Sequence, residues 1–125
     1  MNALRKLHDA LVPGGILIDT QPVSALPPVA TNSHHLGPLD MRAWARTVRA
    51  IDRSIDRVVR DGLFELAETR YFGVADEFGD GEELLATVRD WDGTVVDERF
   101  ARRVGGERQP VRLDQAIRLR VLRAD

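Results

Sequence analysis

The chain has no cysteine in its 125 residues, which excludes disulfides, thiolate-held zinc and a cysteine nucleophile. Lysine is almost missing too: Lys6 stands alone, and arginine supplies the other fixed positive charges. Neither sign of charge dominates. With 20 Asp and Glu against 18 Lys and Arg, the net charge of −2 gives no overall pull toward nucleic acid or an anionic membrane. No apolar run approaches the ~20 residues of a membrane-spanning helix, and the first residues lack a charged-then-apolar signal pattern. A cytoplasmic location is the resulting expectation. Familiar catalytic signatures are also wanting: no serine sits in a nucleophile elbow, and no helix carries the HExxH zinc pattern. What is present, 43% hydrophobic and 30% charged residues, is the composition of one globular domain with its own core.

The most informative text is Leu11-Val-Pro-Gly-Gly-Ile-Leu-Ile-Asp-Thr-Gln-Pro22. Leu4, Leu7 and Leu11 recur at spacings of three and four, so residues 2–12 are predicted to form an amphipathic helix. Pro13 cannot continue it, and Gly14 or Gly15 can take the left-handed conformation that closes it. Ile16-Leu17-Ile18 is apolar on both faces, as expected of a parallel strand covered on both sides. Asp19, Thr20 and Gln21 gather at its carboxyl end, where open α/β sheets place their ligands.

Ala3-Leu-Arg-Lys-Leu-His-Asp-Ala-Leu-Val-Pro-Gly-Gly15 resembles the helix and turn that lead into the fifth strand of class I S-adenosylmethionine-dependent methyltransferases. The likeness is specific over residues 3–22 and extends to the rest only in layout. It implies an α/β fold, a partial Rossmann-like methyltransferase sheet with strands equivalent to five, six and seven and flanking helices. Residues 1–125 would form one partial domain. In that family a glycine-rich turn after the first strand holds S-adenosylmethionine and an acidic residue ending the second takes the ribose. This chain has no such strand–glycine–helix unit, so none of the cofactor is expected to bind it alone.

Further along, residues 22–38 are rich in proline and small polar residues and read as a long loop suited to face a ligand. Asp40 is a plausible N-cap for the clearest helix, in which Met41, Trp44, Val48, Ile51, Ile55 and Val58 repeat at helical spacing until Gly62. Residues 63–78 read as one strand with Phe64, Leu66, Phe72, Val74 and Phe78 on a shared face and a bulge expected at Gly73. Asp80 and Glu83 have capping-box spacing for a helix through Trp91, and Asp92-Gly93 turns the chain. Phe100 and Val104 suggest a short helix. Val111, Leu113, Ile117, Leu119 and Val121 alternate with Arg112, Asp114, Arg118 and Arg120, predicting a half-buried strand over 111–123. In the methyltransferase layout this last strand is inserted antiparallel between the two before it.

Candidate chemistry falls on few residues. Asp19 and Gln21, at the strand's carboxyl end, are candidates for catalysis and substrate binding respectively. The plainer reading of Asp19 is a cap for the strand or a partner for loop amides. His34 and His35 lie in the long loop; adjacent histidines on an extended chain point apart and rarely chelate one metal, so no metal is expected. Exposed loop histidines are the plain reading. The resemblance adds that His34 could act as a base toward an acceptor hydroxyl, with His35 a candidate for substrate binding. Trp44 and Met41 either floor an acceptor pocket or pack in the core. Arg118 and Arg120 are expected to pair with Glu68 or Asp76 on a neighbouring strand.

Two functions follow as expectations. One is the C-terminal part of a methyltransferase-like protein, contributing the acceptor side of the cleft for a small molecule and inactive alone. The other is a non-catalytic α/β module that dimerises or binds a small ligand. Either way the strand at 16–21 has a bare apolar edge, a pairing hazard. That edge calls for a homodimer or for a partner chain supplying the first half. No nucleic-acid or membrane partner is expected.

Overall fold

The computed structural model describes residues 2–125 and is a mixed α/β domain built on one five-stranded antiparallel sheet. The elements are α1 (Asn2–Ala10), β1 (Ile16–Pro22), β2 (Pro28–Ala30), β3 (His35–Pro38), α2 (Arg42–Arg60), β4 (Phe64–Phe78), α3 (Gly81–Val88), α4 (Glu98–Gly105) and β5 (Val111–Ala124). Among the described residues no helix is long and apolar enough to cross a membrane.

β5 is the centre of the sheet. β4 pairs with it along its whole length on one side, from Phe64↔Ala124 to Phe78↔Val111. On the other side β1 pairs with its second half and β2 with its first, and β3 adds outside β2. Because β1 and β4 are both antiparallel to β5, they run in the same direction on either side of it. The segment 22–38 is therefore not a loop throughout: Pro28–Ala30 and His35–Pro38 form a hairpin that extends the sheet. Three and four residues are too few to show an alternation, which is why the sequence pattern conceals them.

The burial pattern of β5 changes sides midway. Side chains alternate across a strand, so 111, 113 and 115 share one face, here the odd face, and 118, 120, 122 and 124 the other. Val111, Leu113 and Gln115 are buried in the first half; Arg118, Arg120, Leu122 and Ala124 are buried in the second. The helices explain the switch. α3, α4 and the segment 36–41 cover the odd face over the first half, making a core of Val29, Leu39, Leu84, Val88, Val104 and Leu113. α1 and α2 cover the even face over the second half, packing Leu4, Ile55, Val58 and Phe64 against Leu122. Thus Arg118 and Arg120, read as the exposed set, are inside, while Ile117, Leu119 and Val121 are only half-buried.

β4 has a matching correction. Its bulge falls at Ala67, between Leu66 and Glu68, and not at Gly73. One extra residue reverses the alternation. Phe64 and Leu66 consequently lie on the even face, opposite Ala124 and Leu122, and Phe72, Val74 and Phe78 lie on the odd face.

Local signals place the turns. Gly14 has φ +81°, and the Gly14-Gly15 turn is tied to the end of β5 by Gly14 N to Ala124 O at 2.9 Å and Ala124 N to Gly15 O at 2.8 Å. Asp80 accepts from the Glu83 amide at 2.9 Å, and Glu83 reaches back to the Gly79 amide at 3.0 Å. Asp40 accepts from the Arg42 amide at 3.1 Å, one residue outside the assigned cap Met41. The Arg42 guanidinium beside it holds the Asp40 carboxyl below its ordinary value.

Candidate functional site

At the carboxyl ends of β1 and β4, on the odd face, lies a cavity of about 460 Å³. Five separate segments build it. Pro22 ends β1, Met41 and Trp44 open α2, Asp76 and Gln115 come from paired strands, and Asp90, Trp91 and Asp92 follow α3. The turn at Asp92-Gly93 is held against the start of α2 by Trp44 N donating to Gly93 O at 3.2 Å. Next to it, Val95 N donates to Asp40 O at 2.9 Å. Trp44 Nε1 donates to Pro22 O at 3.2 Å, so this indole offers the cavity its ring and not its N–H.

The polar groups are one-sided. Three carboxylates line the wall and no arginine, lysine or histidine joins them. Among the described residues none of the three forms an ion pair. Gln115 is 8% exposed, and its Nε2 donates to Asp76 Oδ2 at 3.1 Å. That bond fixes the amide, because a carboxylate can only accept. Gln115 Oε1 is then left buried with no donor, an arrangement that costs about 1–3 kcal/mol unless a ligand or water completes it.

The residues singled out from the sequence separate into three places. Trp44 and Met41 are on the wall of this cavity. Asp19 and Gln21 stand opposite Arg120 and Arg118 and therefore point to the even face, away from it. There Gln21 Nε2 donates to Asp19 Oδ1 at 2.9 Å. Asp19 Oδ2 is 3.8 Å from Arg118 Nη2 and 3.7 Å from Arg120 Nε, with no hydrogen bond of its own. The main partner of these arginines is Asp52 of α2, and not Glu68 or Asp76. Arg118 donates to its two oxygens at 3.0 and 2.6 Å, and Arg120 donates to Oδ1 at 2.7 Å. Burial pushes the Asp52 carboxyl up, but the hydrogen bonds and charges of both guanidinium groups outweigh this and hold it below its ordinary value.

His34 sits in the β2–β3 turn, where its Nε2 meets Glu107 Oε2 at 3.2 Å. His35 opens β3 and is exposed. Neither lines the cavity, so the structure does not bring them together with Trp44. His8 also has a partner: it bonds Asp125 and is held above its ordinary value, chiefly by that hydrogen bond. Among the described residues no group of His, Asp and Glu is placed to hold a metal ion.

Sequence reading missed Asp76, Asp90, Asp92 and Gln115. The one available signal was Gln115 at an apolar phase of a strand, which marks a buried polar group in need of a partner. No protein-family model matches the sequence, and a search of curated proteins finds no match.

Proposed function

We propose that this chain is the acceptor half of a class I methyltransferase-like domain, supplying three strands of its sheet and one wall of the cleft. The observation that carries the reading is the strand order β1–β5–β4, with the last strand antiparallel between two earlier strands of common direction. This agrees with strands five, seven and six of such a sheet. The Leu-Val-Pro-Gly-Gly segment that follows α1 stands ahead of β1, where the resemblance requires it. The uncovered surfaces agree as well. Over the second half of β5 the odd face carries Ile117, Leu119 and Val121 beside Ile18 and Phe72, which are 59% and 44% exposed. The outer edge of β1 pairs with no strand among the described residues. A segment bearing the cofactor half would cover both.

The residues present do not make a site for S-adenosylmethionine. Gly79-Asp-Gly81 opens α3, but a Cβ at Gly81 would meet Val104 O at 1.6 Å, so α4 and not a ligand fills that space. This chain's own work is to orient and desolvate the acceptor. Asp76, Asp90 and Asp92 replace His34 and Asp19 as the groups able to take its proton. Calorimetry tests the division of labour: the chain alone is expected to give no binding heat with S-adenosylmethionine up to about 1 mM. Micromolar affinity would overturn it. A strand followed by a glycine-rich turn, encoded beside this segment, would support it.

A second reading, a non-catalytic module that pairs with its own copy, is favoured by the contrast between two of the outer edges, those at β4 and β1. The edge at β4 is guarded by Glu65, Glu68, Arg70 and Glu77 and broken by the bulge. The edge at β1 presents Ile16, Leu17 and Ile18 with no interruption of its register. Such an edge invites strand addition. Light scattering at about 50 µM should then report a dimer that Ile18→Lys converts to monomer, since binding of a second copy depends on concentration. A monodisperse wild-type monomer removes this reading.

A further inference from the structure

We infer that the cavity bounded by Trp44, Trp91, Asp76, Asp90, Asp92 and Gln115 binds an organic cation, an amine protonated at neutral pH. This deepens the acceptor-half reading by naming the class of acceptor, and it rests on that reading only for the ligand's fate, not for its binding. Charge argues first. In a chain with 18 lysines and arginines, none lines this cavity, while three carboxylates do. An anion would meet three like charges, and a neutral apolar ligand would leave the carboxylates' field unused.

Hydrogen bonding argues independently. Gln115 is more than nine-tenths buried, forms part of the wall, and its Oε1 lacks a donor. An ammonium brings donors and needs acceptors only. The aromatic groups complete the case. Both indoles are half-buried on the same wall, and Trp44 has already committed its N–H to Pro22 O. What remains is the ring face, which attracts cations. The volume, about 460 Å³, is that of a small-molecule site.

Tryptophan fluorescence and calorimetry on the full chain, with benzylamine, benzyl alcohol and benzoate as probes, test this directly. Benzylamine is expected to bind at least about tenfold tighter than benzyl alcohol, with benzoate not binding, because the three differ mainly in charge. The double variant Asp90→Asn/Asp92→Asn changes two exposed side chains and should weaken benzylamine about tenfold while leaving benzyl alcohol unchanged. Asp76→Asn should act likewise, with circular dichroism confirming the fold of each variant. Equal affinity for amine and alcohol would overturn the inference. So would no amine binding below about 10 mM, or an unchanged affinity in folded variants. Because no cofactor is present in these measurements, a failure of methyl transfer leaves the cation site standing. Loss of amine binding leaves the sheet-order argument for the methyltransferase reading untouched.

Discussion

Asp52→Ala is expected to lower the stability of the domain by about 3–5 kcal/mol at neutral pH, the usual penalty for stripping a buried charge of its partner. Arg118 and Arg120 are 10% and 9% exposed at the side chain, and Asp52 takes three hydrogen bonds from them. Without it, two guanidinium groups share Asp19 alone, which sits at 3.7–3.8 Å and makes no hydrogen bond to either. Domains are stable by only about 5–15 kcal/mol, so urea unfolding should show a large fall in midpoint. A loss under about 1 kcal/mol would mean that these arginines are solvated. The substitution Asp52→Leu combined with Arg118→Leu, Arg120→Met and Asp19→Leu should recover much of the loss, since apolar packing often equals a buried ion-pair cluster once no member is left unpaired.

The same carboxylate sets an acid limb. Its folded pKa lies below the ordinary value of 3.8. Its contribution is therefore complete above that value and is lost as pH falls through the depressed folded value. Stability measured from pH 5 downward should decline in the wild type, and Asp52→Ala should remove this group's share of the slope.

Gly93→Ala is the second large effect, expected at about 3 kcal/mol, or a fall in Tm of about 10 °C. Gly93 has φ +75°, and an added Cβ would lie 2.6 Å from Trp44 N and 2.7 Å from Trp44 Cα and Cβ. The left-handed backbone alone costs about 1–2 kcal/mol. Overpacking against another backbone adds roughly 1–3 kcal/mol, because neither side can yield as a flexible side chain would. Gly14→Ala is the control: it shares a positive φ of +81° but has nothing within 4 Å, so only the conformational part should be lost. Equal losses at both positions would show that the turn does not press on α2. Gly93→Ala should also weaken benzylamine binding, since the turn ties Trp91 and Asp92 to the start of α2 through Trp44 N and Gly93 O.

Where local pattern decides structure, the sequence was legible. The helices at 42–60, 81–88 and 98–105 and the strands at 64–78 and 111–124 follow from periodicity and caps, whereas the strand at 16–22 is not the parallel, doubly covered strand its apolar run suggested: it is antiparallel to β5, with Ile16 and Ile18 exposed. β5 lies between β1 and β4, but it also pairs with β2, and the β2–β3 hairpin that widens the sheet was not foreseen. Which face of a strand is buried was not legible at β5, because the answer lies in helices elsewhere in the chain. Arginine at 118 and 120 looks like a solvent face until Asp52, on α2, is known to stand over it. At β4 one unpaired residue, Ala67, was enough to send Phe64 and Phe72 to opposite sides. The cavity was the least visible part. Trp44 could be picked out by its position at the head of a helix, but Asp76, Gln115 and Asp92 gain meaning only once five distant segments meet.

The centre of the sheet has a consequence for how the protein is made. A ribosome releases β1 and β4 well before β5, yet among the described residues each pairs only with β5. Until that strand emerges, the nascent chain can close just the small β2–β3 hairpin, and its longest ribbons wait without a mate. Pairing such as Ile16 with Arg123 joins residues about a hundred positions apart and must be among the slow closures. The apolar ribbon at 16–18 is thus at its most vulnerable during synthesis, and early chaperone contact there would shield it until its neighbour arrives.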